Sequence, residues 1–184
     1  MTPKRRVPFG SEQNINTGPS DHCHTCHATH GTPHKPGCNE EQCPNCCSLI
    51  IGCGCNSLST MDSALIIQSL YRKFTNLETA LRAVTFHENK GKQGTSYLVH
   101  AAMLYLFEHI DEKSREEITQ KFHLSFPTLN PTMYDKNGTG YYTPEQLAKA
   151  FDVTVEEIND RIEALSSAGF TIKKNEIENL KKSN

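Results

Sequence analysis

All eight cysteines of this 184-residue chain lie between Cys23 and Cys55. The stretch reads CHTCHATHGTPHKPGCNEEQCPNCCSLIIGCGC, and no other feature limits the possible folds so sharply. Thiols gather either for disulfides or for metal. Disulfide scaffolds belong to oxidising compartments and follow a secretory signal. The opening residues, MTPKRRVPFGSEQNINTGPSD, have a basic start but no apolar segment behind it, unlike a signal peptide. No apolar run approaches the ~18 residues that a membrane span needs. A cytoplasmic protein with reduced thiols and no membrane segment is expected, and metal is then the better reading of the cluster.

The spacing agrees. Cys23-x2-Cys26 and Cys43-x2-Cys46 form two knuckle-like pairs, and each such turn lets two thiolates face one ion. Thiolate and imidazole select zinc over magnesium or calcium. Tight turns between ligands are supplied by Gly31, Pro33, Pro36, Gly37, Gly52 and Gly54. A tetrahedral site takes four ligands. Cys23, Cys26, His34, Cys38, Cys43, Cys46, Cys53 and Cys55 therefore suffice for two zinc ions. A sequential arrangement divides them after Cys38. An interleaved one gives both C-x-x-C pairs to one ion and His34, Cys38, Cys53 and Cys55 to the other. A single ion with redundant thiols is the simpler alternative. Cys47, directly beside Cys46, is the odd thiol. The stretch has too little apolar content to bury a core, so the metal is expected to fold it as a unit, with the helical body standing without it.

The pattern CHTC, then His34-Lys-Pro-Gly-Cys38, Cys43-Pro-Asn-Cys46 and Cys53-Gly-Cys55, resembles a short zinc-ribbon-like segment of uncharacterised bacterial and phage proteins. The likeness covers residues 22–56. It implies a metal site with His34 as the histidine ligand, and it sets Cys47 where glycine is common.

Catalytic zinc keeps one position open and brings a general base. The His-x-Glu and Pro-Cys-x-x-Cys signature of zinc deaminases is absent. So are a phosphate loop, a Ser–His–Asp order and a His-Glu-x-x-His motif. The zinc is expected to be structural, the protein not an enzyme, and no small-molecule substrate is evident.

Three regions follow from composition. Residues 1–21 read as a disordered basic arm whose Lys4-Arg5-Arg6 cluster could touch phosphate. Residues 22–56 are the zinc module. Residues 57–184 are long enough for one hydrophobic core. Ser59 or Thr60 caps a helix bearing Leu65, Ile66, Leu70, Tyr71 and Phe74. A second helix carries Leu77, Leu81, Val84 and Phe86 to about Glu88. Residues 96–110, apolar nearly all round, predict a central buried helix. DEKSREEITQKF predicts a polar-faced helix ending near Phe122. No strand pattern persists, so the fold class is mainly α.

Two motifs compete over Asp135–Phe151. An EF-hand would use Asp135, Asn137 and Gly140, but Thr139 and Gln146 stand where ligand carboxylates belong, and Pro127 and Pro131 spoil the entering helix. A helix-turn-helix at about 143–169 fits better. Thr143 caps it with Pro144 at the first helical position, Thr154 caps the second helix, and Ile158, Ile162 and Leu165 face inward before Ala168-Gly169 ends it. This segment resembles winged-helix DNA-binding domains, in which a hairpin often follows such a glycine. Phe170–Ile172 could begin one, whereas KKNEIENLKKSN reads as a turn and a last helix. Upstream, Ile118, Phe122, Leu124 and Leu129 repeat the rhythm of a second, degenerate helix-turn-helix.

The resemblance implies DNA as partner, through the helix-turn-helix and the basic arm, and transcription regulation as the role. Charge argues for caution. The second helix holds Glu156, Glu157, Asp160 and Glu163 against Arg161 alone, and the chain carries a net charge of −2. Such a helix serves equally well in a protein–protein contact. Two functions are expected: a zinc-binding, nucleic-acid-binding regulator, or a zinc-stabilised adaptor or inhibitor that binds another protein.

Overall fold

The computed structural model describes residues 2–13, 20–55, 57–88, 96–134, 140–171 and 181–182. Helices are the main regular elements among them, as expected, and two compact units emerge, residues 1–109 and 110–184. The compositional boundary near residue 57 is not where the packing divides.

In the first unit, α1 (Thr60–Tyr71) starts at Ser59, whose hydroxyl accepts from the Asp62 amide at 3.1 Å. This satisfies one of the orphan donors of a helix start. Asn76 and Ser96 receive the Thr79 and Val99 amides at 2.9 and 3.2 Å in the same way, at the starts of α2 (Leu77–Glu88) and α3 (Tyr97–His109). α3 packs on both α1 and α2. Ala80 of α2 and Ala102 of α3 are small enough to let the helices close around Tyr105, which Tyr71 and Phe74 flank at 5.6 and 5.7 Å between ring centres. α3 is central but not buried all round. Tyr97, Val99, Ala101, Ala102 and Tyr105 face inward, while Met103, Leu104 and Phe107 are exposed.

The cysteine stretch belongs to this unit's core. Cys43, Ile50 and Cys53 are buried in one cluster with Leu58, Ile66, Leu70, Tyr97 and Ala101. A 3-10 turn at Ile50–Gly52 lays Ile50 into it. The stretch expected as a zinc module over 22–56 thus shares its buried cluster with α1 and α3. The stretch could not bury a core of its own, and it borrows one face of α1 and α3.

The expected disordered arm, over residues 2–13, is likewise packed. Phe9 is buried beside Cys23, Cys26 and Cys38. Its amide donates to the Thr32 carbonyl, and the Gly31 amide donates back to Phe9, both at 2.9 Å. Residues 14–19 lie outside the described residues.

The second unit holds α4 (Glu112–Ser125), β1 (Met133–Tyr134), β2 (Gly140–Tyr141), α5 (Pro144–Phe151), α6 (Val155–Ser167) and β3 (Lys181–Lys182). The strands pair antiparallel in the order β2-β1-β3, with Met133 opposite Tyr141 and Lys182. α4 runs three residues past the expected Phe122 to Ser125. After it Pro127 and Pro131 forbid a second helix, so the degenerate helix-turn-helix is not formed; Leu129 is buried in an irregular turn instead. The described hairpin lies before α5, not after Gly169. The chain's end, expected as a last helix, supplies β3; residues 172–180 lie outside the described residues. The EF-hand positions 135–139 also lie outside them. Thr143 and Gln146 of that motif make the capping box of α5.

α5 and α6 begin as the sequence led us to expect. Both have complete capping boxes, Thr143 with Gln146 and Thr154 with Glu157. Asp152, in the left-handed conformation at φ 52°, makes the turn between them, and the Val153 amide donates to the Ala148 carbonyl at 3.0 Å. Ala148, Ile158, Ala164 and Ala168 are buried.

Candidate metal centre

Two copies of one local structure carry four of the candidate ligand thiols, Cys23, Cys26, Cys43 and Cys46. In the first, the Cys23 amide donates to Ala28 O at 2.8 Å and the His27 amide to Cys23 O at 2.9 Å. In the second, the Cys43 amide donates to Ser48 O at 2.8 Å and the Cys47 amide to Cys43 O at 3.0 Å. A single antiparallel bridge closes each copy, His22 with Thr29 and Gln42 with Leu49. The reversal forces the residue after each second cysteine into the left-handed region, at φ 59° for His27 and 57° for Cys47. That is why glycine suits the place.

Each knuckle is completed by the residues that follow it. Cys23, Cys26, His34 and Cys38 form site one, and Cys43, Cys46, Cys53 and Cys55 form site two; within each set the ligand atoms lie within 4.8 Å of one another. This is the sequential grouping. An ion about 2.3 Å from each sulfur would set tetrahedral sulfurs roughly 3.8 Å apart. Cys23 and Cys38 Sγ are 3.7 Å apart, Cys46 and Cys53 Sγ 3.3 Å, and Cys26 Sγ lies 3.4 Å from His34 Nδ1. Both sets therefore fit one metal ion each. Cys47 is outside them, its thiol on Gln13 Oε1 at 3.5 Å.

The surroundings complete the fit. His34 Nε2 stands 2.5 Å from Glu12 Oε1. A carboxylate only accepts, so the proton sits on Nε2 and Nδ1 is free to bind metal. Phe9 meets the imidazole edge-on at 5.7 Å. Gly37, at φ 76°, brings the chain so close to α1 that a Cβ there would stand 3.0–3.1 Å from the Ser69 side chain. Lys73 Nζ fastens the same loop by donating to Gly37 O at 2.7 Å. At site two, backbone amides donate to sulfur: Asn45 to Cys43 at 3.4 Å and Cys55 to Cys53 at 3.2 Å. The Asn45 amide group reaches Cys55 Sγ at 3.5 Å.

Electrostatics point the same way. Burial pushes the Cys26 thiol up, but the backbone amides of Lys35 and Ala28 and the His34 ring outweigh it and bring it down to about 7. Burial likewise opposes ionisation of Cys46, yet the Ser48 amide and hydroxyl, with Cys53 and Cys55, lower it to about 6. Burial drives Cys38 up to about 12, and burial raises Cys53 too. Ionisation is thus favoured at Cys26 and Cys46 and opposed by burial at Cys38 and Cys53. A divalent cation reverses that balance and draws the remaining protons off.

Two of the three cations that sequence suggested for phosphate, Lys4 and Arg6, are spent on these sites. Arg6 Nε and a terminal nitrogen donate to the two oxygens of Glu41 at 2.7 and 2.5 Å, and the latter nitrogen also donates to His34 O at 2.6 Å. Glu41 is fully buried. Lys4 Nζ donates to Asn45 Oδ1 at 2.9 Å and Pro44 O at 3.3 Å. Gln13 and Gln42 exchange two bonds, at 2.6 and 2.7 Å. Glu12 and Arg6 were invisible as site residues because nothing in their spacing ties them to His34, 22 and 28 positions away, and Glu41, beside the cysteines, shows no sign of its partner Arg6, 35 positions away. The repeated x-Cys-x2-Cys-x3 octet, His22–Thr29 and Gln42–Leu49, was the one available signal of twinned knuckles. No family model, characterised protein or solved structure matches the chain. No helix among the described residues is long and apolar enough to cross a membrane.

Proposed function

We propose that this is a zinc-binding protein in which two structural zinc ions hold residues 2–13 and 20–55 against α1 and α3, and that its helical surface binds another protein. The observation that carries the zinc assignment is the donor set. Three thiolates with an imidazole, and four thiolates, are the closed sets of structural zinc, with no position left for a reacting water. Metal analysis of protein purified under reducing conditions is expected to find zinc near two ions per chain; none would end the reading.

A protein partner is favoured over DNA by where the cations go. Lys4 and Arg6 are committed within the fold, and Glu156, Glu157, Asp160 and Glu163 all stand exposed on α6. A duplex repels such a helix. The nucleic-acid reading keeps one support, the tight turn between α5 and α6, which resembles a helix-turn-helix. A DNA shift assay at ~50 and ~200 mM salt decides, because phosphate contacts weaken steeply over that range. No shift at the lower salt supports the adaptor. Salt-sensitive binding that Glu156→Lys with Glu157→Lys tightens would restore the regulator. In the adaptor, the same pair of substitutions abolishes partner capture.

A further inference from the structure

The first knuckle presents a second set of ligands on its outer side. His22 and His27 are both exposed, and their rings face each other with centres 5.8 Å apart at 43°. An ion shared by one nitrogen of each ring, at about 2.0–2.1 Å from both, sets the ring centres roughly 4.5–6.4 Å apart for bond angles between square and linear. The observed separation falls inside that window.

The pair is also held in place. The bridge to Thr29 fixes His22, and the Ser20 hydroxyl donates to the His22 carbonyl at 2.6 Å. His27 sits at the left-handed position, where a side chain costs roughly 1–2 kcal/mol relative to glycine. Such strain tends to persist where the side chain has a task. The second knuckle is the internal comparison. Its equivalent positions are Gln42 and Cys47, and both side chains turn to Gln13 instead of to each other. Only the first knuckle offers a free, facing pair.

We propose that His22 and His27 form a third, weaker site for a divalent d-block ion, accessible to solvent and built on the outer face of the site-one knuckle. Imidazole pairs of this kind take zinc, nickel or copper, with water completing the coordination. The third site depends on the knuckle that site one maintains, so the proposal rests on the loading of site one given above.

The test is calorimetry of the full-length protein, already carrying two zinc ions, titrated with Zn²⁺ and separately with Ni²⁺. A prior metal count keeps the two readings apart: failure to hold two ions refutes the structural assignment, whereas failure to bind a third refutes this one. One additional equivalent is expected. His22→Gln should weaken it at least about tenfold, as loss of a ligand exceeds the effect of losing a supporting contact. His27→Asn, which tolerates the left-handed backbone, should do the same. His24→Gln and His30→Gln should leave it unchanged. Imidazole NMR signals of His22 and His27 should broaden first on adding Ni²⁺. Should His27→Asn disturb site one, His22→Gln, which leaves the left-handed residue intact, decides alone. No third equivalent up to ~1 mM ion, or one that survives His22→Gln, overturns the proposal.

Discussion

The two clusters are built on the same knuckle yet stand on different supports. Site one is buried on all four ligands, and its lid is the chain's own residues 6–13, with Phe9, Arg6 and Glu12 laid over it. Site two is buried on one side only: Cys43 and Cys53 lie in the helical core, while Cys46 is exposed and Cys55 half-exposed. One site is held by a few directed polar contacts, the other by apolar area. Directed contacts tune a ligand's protonation and orientation. Apolar burial instead couples the site to whatever shares the core.

That difference has measurable consequences. The largest is expected at site two. Cys43→Ser should release its ion and loosen α1 and α3 together, because Cys43 shares a cluster with Ile66, Leu70 and Tyr97. A loss of several kcal/mol is expected, given that structural zinc contributes about 10–16 kcal/mol in small modules. Cys23→Ser should release one ion but leave most of the α1–α3 packing. Thermal unfolding followed by circular dichroism, beside metal counts, compares the two; equal loss of helix in both would erase the distinction.

Arg6→Met comes next. Glu41 would be left fully buried and without its bidentate partner. Breaking a buried pair on one side typically costs about 3–5 kcal/mol. Arg6 also holds the His34 carbonyl, so denaturant titration should show site one weakened along with the fold. Arg6→Met combined with Glu41→Leu should recover much of the loss.

Glu12→Gln is a finer probe. It leaves the shape and removes the carboxylate behind His34. Zinc affinity at site one should fall about 10–100-fold, as for other supporting carboxylates. Site two should keep its ion, as read by chelator competition. Equal weakening of both would mean that the lid serves the whole module.

The smallest effect is expected at Cys47. Cys47→Gly removes a side chain at φ 57° and should stabilise by about 1 kcal/mol, less whatever the Gln13 contact contributes. Both ions should remain. Loss of one would make Cys47 a ligand.

The ligands were legible in the sequence because chelation is local: every ligand of either site lies within 16 residues of its partners. Helix starts were legible for a similar reason, since Ser59, Thr143 and Thr154 act within one turn. What escaped was long-range. Arg6 and Glu41 look like two more surface charges until the fold brings them together across 35 positions. α3 reads as apolar on all sides, and nothing in that pattern tells which side α1 and α2 cover. The two-residue strands carry too few residues for any alternation to show. β3 in particular is two lysines, Lys181 and Lys182, paired with Tyr134 and Met133.

The placement of the lid also bears on the order of events during synthesis. The ligands of site one and the lid over it, from Arg6 to Glu41, precede α1; Ser69 and Lys73 add their contacts to the Gly37 loop later. The loops of site one are short, and short closures are fast and lose little entropy. A growing chain can therefore seat its first ion while the helices are still unmade. Site two waits for Tyr97 and Ala101, more than forty residues later than Cys55. The nascent protein would carry one finished metal site and one unfinished one, and during that interval the five thiols from Cys43 to Cys55 would be its most reactive groups.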